Sequence, residues 1–107
     1  MKRFGQVIRL KEGMEERYKE LHSNPWPEVN AAIKASHMSN YSIYLKDGYL
    51  FAYFEYDGED FEEDMKKMAA DEATQRWWKE TDPCQEKMAG ASDAEWWSDM
   101  EEVYHLD

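Results

Sequence analysis

The sequence predicts an α+β domain whose elements run β-α-β-β-α-β. Three observations predict it. Residues 4–10 alternate in hydropathy with a period of two, Asp47-Gly48 stands between two aromatic runs as a hairpin turn, and the segments flanking that hairpin carry apolar residues at helical spacing. At 107 residues the chain is one domain, 1–107, long enough for one modest core.

Along 4–10, Phe4, Gln6, Ile8 and Leu10 share one face of a strand and Gly5, Val7 and Arg9 the other. Lys11-Glu12-Gly13 turns the chain. Met14, Tyr18, Leu21 and His22 then form the stripe of a helix over 14–22, with charged residues on the remaining positions. Ser23-Asn24-Pro25 breaks that helix, because proline lacks an amide donor and restrains the residue before it. Pro27 opens a second helical piece, with Glu28 at its start and Val29, Ala32 and Ile33 as its buried stripe. Residues 40–46 and 49–56 are the two strands of the hairpin. The second of them is apolar on both faces, which predicts a central place in the sheet. Phe61, Met65 and Met68 mark a helix, a further helix covers 72–80, and Pro83 ends it, with a short helical turn over 84–89. Residues 100–106 alternate again and predict the last strand.

That order is the ferredoxin-like βαββαβ pattern, a four-stranded antiparallel sheet with helices on one face. The uncovered face receives either Phe51 and Tyr53 or Phe54 and Tyr56. Both pairs are too apolar for a solvated face. It therefore stacks on a second subunit, as in a dimeric α+β barrel, or forms a pocket with the long loops. A homodimer is expected.

Composition narrows the partners. The formal net charge of −11 disfavours nucleic acid and anionic membrane surfaces, and favours a neutral ligand. Five Trp and seven Tyr exceed what a small core needs, so some of them line a pocket or a subunit contact. The single Cys84 forms no intramolecular disulfide, and no Cys/His spacing suits a metal, which fits a reducing cytoplasm. The first ten residues have no signal-peptide core, and no run approaches the ~20 apolar residues of a membrane span.

The candidate site begins with Tyr18 and His22, one helical turn apart on one face. A phenol then lies beside an imidazole, which gives and takes protons near neutral pH. A histidine at a helix end also serves simply to meet terminal carbonyls. Trp26 and Glu28 follow, the glutamate equally suited to the favourable N-terminal end of a helix. Trp77 and Trp78 point about 100° apart on a helix. One reading makes them core and interface residues, the other makes them a platform for the C–H face of a sugar ring. Tyr41, on the face of Ile43 and Leu45, is either packed or ligand-facing. His37 and His105 read as structural or exposed. The acidic run from Glu59 to Asp64 lacks metal-ligand spacing and reads as a solvated face, and Cys84 has no basic activator beside it.

Taken together, Tyr18-x3-His22-x3-Trp26-Pro27-Glu28, Asn40-Tyr41-Ser42-Ile43-Tyr44-Leu45, Phe51-Ala52-Tyr53-Phe54-Glu55, Trp77-Trp78-Lys79 and Glu102-Val103-Tyr104-His105-Leu106 resemble the L-rhamnose mutarotase family over nearly the whole chain. The resemblance implies a dimeric ferredoxin-like fold and cofactor-free interconversion of the α and β anomers of a 6-deoxyhexose. It places His22 at the proton donor and Tyr18, Tyr41, Trp77 and Trp78 at substrate-binding positions. L-rhamnose is the first expected substrate and L-fucose its competitor. A small dimeric α+β barrel monooxygenase and a non-catalytic sugar-binding module share the inferred topology. The segment between Cys84 and Met100 carries a further pair, Trp96-Trp97, to which the pattern assigns no role.

Overall fold

The computed structural model describes residues 1–93 and 95–107. The elements are β1 (Lys2–Leu10), α1 (Glu15–Ser23), α2 (Pro27–Ala35), β2 (Met38–Lys46), β3 (Tyr49–Tyr56), α3 (Phe61–Ala70), α4 (Glu72–Thr81), β4 (Gln85–Glu86) and β5 (Ser98–Met100). Strand order is β2-β3-β1-β4, and β5 also pairs with β1. All pairings are antiparallel, with β3 central as its two apolar faces predict. The fourth strand position is thus divided. β4 meets β1 at Arg9 and Leu10, and β5 meets it at Gly5 to Val7.

Local chemistry explains the boundaries. Asp47 and Gly48 both adopt positive φ, 52° and 78°, as a two-residue hairpin turn requires. Pro27 sits in the first turn of α2, where its missing N–H costs nothing. Asp60 caps α3 by accepting from the Glu63 amide at 3.1 Å. Asp71 ends α3 and caps α4, accepting from the Thr74 amide at 2.9 Å and hydroxyl at 2.8 Å. One residue therefore stops one helix and starts the next.

All four helices pack on one face of the sheet. Ile8 and Leu50 lie at its centre with Leu21, Val29, Ala73 and Trp77 over them. A second cluster joins Met38, Phe54 and Tyr56 to Phe61, Met65 and Met68 of α3. A bulge in β2, between Ser39 and Ser42, inserts one extra residue opposite β3. Asn40 occupies it at φ 49° and donates to Glu55 Oε1 at 2.7 Å. Met38 and Tyr41 consequently share the helix-covered face although they are three residues apart. Phe51 and Tyr53 fall on the other face, where no helix covers them.

Two sequence expectations are corrected. The helical turn expected over 84–89 is a 3-10 turn at Asp82–Cys84, followed by β4. Pro83 suits that tight turn, and the Lys11 amide then captures the Cys84 carbonyl at 2.8 Å, drawing Gln85 into the ladder on β1. The last strand, expected over 100–106, instead ends at Met100, and residues 101–107 have no regular structure. Arg3 holds Glu102 at 3.0 Å. Val103, Tyr104 and Leu106 are exposed. No described helix is long and apolar enough to cross a membrane.

A polar lock closes the far end of the sheet. The Tyr56 hydroxyl donates to Asp64 Oδ2, and His37 Nδ1 lies 3.1 Å from the same oxygen. A Cβ on Gly58 would collide with the Tyr56 hydroxyl, so this turn needs glycine. The Tyr56 bond, helped by His37, holds the Asp64 carboxyl below its ordinary pKa against the opposing effect of burial. A lowered folded-state pKa stabilises the fold above the unfolded carboxylate pKa, ~3.9, and that stabilisation is lost as pH falls through the lower folded value. Tyr56→Phe removes the largest cause. Its melting temperature should lie below wild type at pH 7 and converge with it as pH falls below about 4. A gap that stays constant from pH 7 to 2 in thermal unfolding would refute this account.

Candidate active site

A cavity of about 1090 Å³ lies between the sheet and the helices. Helix spacing delivers two of its polar groups. Tyr18 and His22 project from one face of α1, their ring centroids 4.4 Å apart. His22 Nδ1 is 3.0 Å from the Tyr18 carbonyl oxygen. That carbonyl only accepts, so Nδ1 carries the proton and donates. In the neutral ring Nε2 is then the basic nitrogen, on a side chain that lines the cavity.

Tyr18 is buried and its hydroxyl accepts from Gln85 Nε2 at 3.2 Å. Burial pushes its pKa far above the ordinary phenol value, and the Gln85 bond offsets only part of that. Tyr41 stacks on Phe54 with centroids 5.4 Å apart. It keeps 37% of its surface accessible, and it lines the cavity. The surrounding walls desolvate its hydroxyl and push its pKa up to about 12. Both phenols therefore stay protonated near neutrality and serve as hydrogen-bond donors.

The tryptophans make the walls. Trp77 is buried and meets His22 edge-on at 5.3 Å and Trp26 at 5.2 Å. Its indole thus packs against the imidazole. Trp78 is partly buried, and both members of the pair line the cavity. Tyr18, His22, Trp26, Tyr41, Trp77 and Trp78 are all brought to one space. Glu28 is not. It is exposed in the first turn of α2 and stands outside the lining.

Asp82, Gln85, Trp96 and Trp97, unassigned from sequence, are among the other residues that reach the cavity. The Trp96-Trp97 pair was visible in the sequence without a partner. Asp82 and Gln85 carried no signal, being single polar residues around Pro83. Asp82, a solvent-exposed residue, is the carboxylate among the lining residues, and desolvation raises its pKa. Gln85 Oε1 accepts from Trp96 Nε1 at 2.7 Å. Cys84, behind this wall, is a buried free thiol whose pKa burial raises, which leaves it unreactive.

The family model for L-rhamnose mutarotase matches residues 3–106. The chain belongs to the L-rhamnose mutarotase family. It is 38% identical to the L-rhamnose mutarotase of Bacillus subtilis and 34% identical to that of Lactiplantibacillus plantarum, with 100% of both chains covered in each case. The crystal structure of an L-rhamnose mutarotase from Formosa agariphila superposes over 100% of both chains with a TM-score of 0.78 at 25% identity. Tetracenomycin F2 cyclase from Streptomyces glaucescens, a polyketide cyclase, superposes with a TM-score of 0.66 at 11% identity, which reflects the shared fold alone. Within the L-rhamnose mutarotase family, then, this chain places its paired phenol and imidazole against a tryptophan wall in a cavity that is partly open to solvent.

Proposed function

We propose that this chain interconverts the α and β anomers of L-rhamnose by general acid–base ring opening in this cavity. The observation that carries the reading is His22. Its Nδ1 lies against a carbonyl, which makes Nε2 the basic nitrogen, and Trp77 packs edge-on against its ring in a cavity lined by tryptophans and tyrosines. Ring opening delivers a proton to the ring oxygen and removes one from the anomeric hydroxyl. The C1–O5 bond breaks and an aldehyde forms. Rotation about C1–C2 and reclosure by the reverse transfers give the other anomer, with no net change in protons. His22 moves one of the two protons, and Asp82, the carboxylate in the lining, moves the other. Trp77 and Trp78 take the apolar ring face and the C6 methyl, and Tyr18 and Tyr41 donate to sugar oxygens.

The test is anomer exchange of L-rhamnose and L-fucose by NMR saturation transfer, with and without catalytic protein. Faster exchange of L-rhamnose supports the reading. Faster exchange of L-fucose alone moves the substrate and keeps the chemistry. Binding without acceleration leaves a sugar-binding module, and binding of an aromatic polyketide without any monosaccharide leaves the monooxygenase class.

The working unit is a homodimer in the cytoplasm. Val7, Phe51 and Tyr53 on the uncovered face, with the exposed Val103, Tyr104 and Leu106 of the tail, supply the apolar surface that a second copy would bury. Light scattering should return the mass of two chains, and deletion of residues 101–107 should shift it toward one. A monomer at micromolar concentration would remove this part of the proposal.

A further inference from the structure

We infer that Gln85 and Trp96 form a directional relay that fixes the Tyr18 hydroxyl as a donor into the cavity, making Gln85 a positioning residue for the sugar. The inference rests on reading the cavity as a sugar site, but its geometry is independent of that reading.

The direction follows from donor chemistry. The indole Nε1–H of Trp96 only donates. It lies 2.7 Å from Gln85 Oε1, so that oxygen must accept. The amide's other end is therefore NH2 and must donate, and its partner at 3.2 Å is the Tyr18 hydroxyl oxygen. With that oxygen accepting from Gln85, the Tyr18 proton turns away from Gln85. Tyr18 lines the cavity, so the proton is offered to what fills it.

Burial makes the direction hard to reverse. Gln85 is 3% exposed and Tyr18 5%, so neither exchanges partners freely with water. A flipped amide would set NH2 against the indole N–H and leave both donors unmet, which is costly in a buried site. The backbone holds the amide in place. Gln85 pairs with Leu10 across the ladder, and the preceding Cys84 carbonyl accepts from the Lys11 amide at 2.8 Å. Trp96 arrives from the segment just before β5. The relay thus joins three chain regions to one hydroxyl, and it selects ligands that present an acceptor oxygen there.

The experiment replaces the donor with an acceptor. In Gln85→Glu the carboxylate accepts from Trp96 and also from Tyr18, so the Tyr18 proton is drawn off the sugar. At pH 8 the exchange rate at saturating sugar should fall ~10- to 100-fold, to the level of Tyr18→Phe, because one transition-state hydrogen bond is lost. The double variant should be no worse than either single one. As pH is lowered and the introduced carboxylate protonates, its O–H donates to Tyr18 again and the ratio to wild type should recover. A residue that only packs would lower activity equally at every pH. Wild-type rate and pH profile in Gln85→Glu would overturn the relay.

A second readout needs no activity. The Trp96 indole N–H resonance should lie downfield in wild type and move upfield in Gln85→Met, with the remaining indole signals unchanged. A Trp96 resonance at the free-indole position in wild type would also overturn the relay. If wild type accelerates neither sugar while this signal behaves as expected, it is the sugar reading that has failed and the relay that stands.

Discussion

His22→Ala should lose anomer exchange by ~10²–10⁴-fold and keep its fold, the range expected when a general acid–base group is removed. The side chain is only partly buried, so truncation leaves no large cavity in the core. Its Nδ1 bond to the Tyr18 carbonyl lies within one helix turn, and that oxygen also belongs to the helix ladder. The loss should therefore sit in the rate at saturating sugar, with intact near-UV circular dichroism. Asp82→Asn should fall in the same assay if it carries the second proton. Full activity in His22→Ala would move the chemistry elsewhere in the cavity. Full activity in Asp82→Asn would leave His22 with a proton partner that is not a carboxylate of the lining.

Trp77→Ala should cost about 3–5 kcal/mol of folding stability, measured by urea unfolding. Against the ~5–15 kcal/mol that holds a typical domain, this is a large fraction. Trp77 sits in the main core, meets His22 and Trp26 edge-on, and belongs to the helix that packs on both α2 and α3. Removing it takes packing from the core and the wall from the site together. Trp77→Phe keeps part of the packed volume and should destabilise less than Trp77→Ala. It should still bind sugar more weakly, since the ring is smaller and lacks the indole N–H. If Trp77→Ala unfolds at the wild-type midpoint, the residue belongs to the surface and the core described here is wrong.

Much of the site was legible because its spacing is local. Tyr18 and His22 are one turn apart, and any helix there sets them side by side. Trp77 and Trp78 were legible as a pair, although their adjacency did not say that both face one cavity. Asp82 and Gln85 were not legible. Gln85 meets Tyr18 across a separation of 67 residues, and no periodicity encodes such a contact. Trp96 was visible only as an unassigned aromatic, because its partner was itself invisible. Glu28 drew notice through its neighbours in sequence, yet its position on α2 turns it to solvent.

The sequence by itself determined the elements from β1 through α4 and most of their faces. Proline, glycine and aspartate at Pro27, Asp47-Gly48, Asp60 and Asp71 act within a few residues, and hydropathy periods of two and 3.6 state which side of each element seeks burial. Tertiary structure alone decided where the pattern shifts phase and where it goes unused. The bulge at Asn40 brings Met38 and Tyr41 to the same face, against simple alternation, because Asn40 and Glu55 bond across the pair. The alternation of 100–106 produced no strand within one chain, because a strand needs both a ladder partner and a face to bury. Local propensity is a property of neighbouring residues, whereas register, burial and the meeting of Tyr18 with Gln85 depend on which distant segments the packed core brings together.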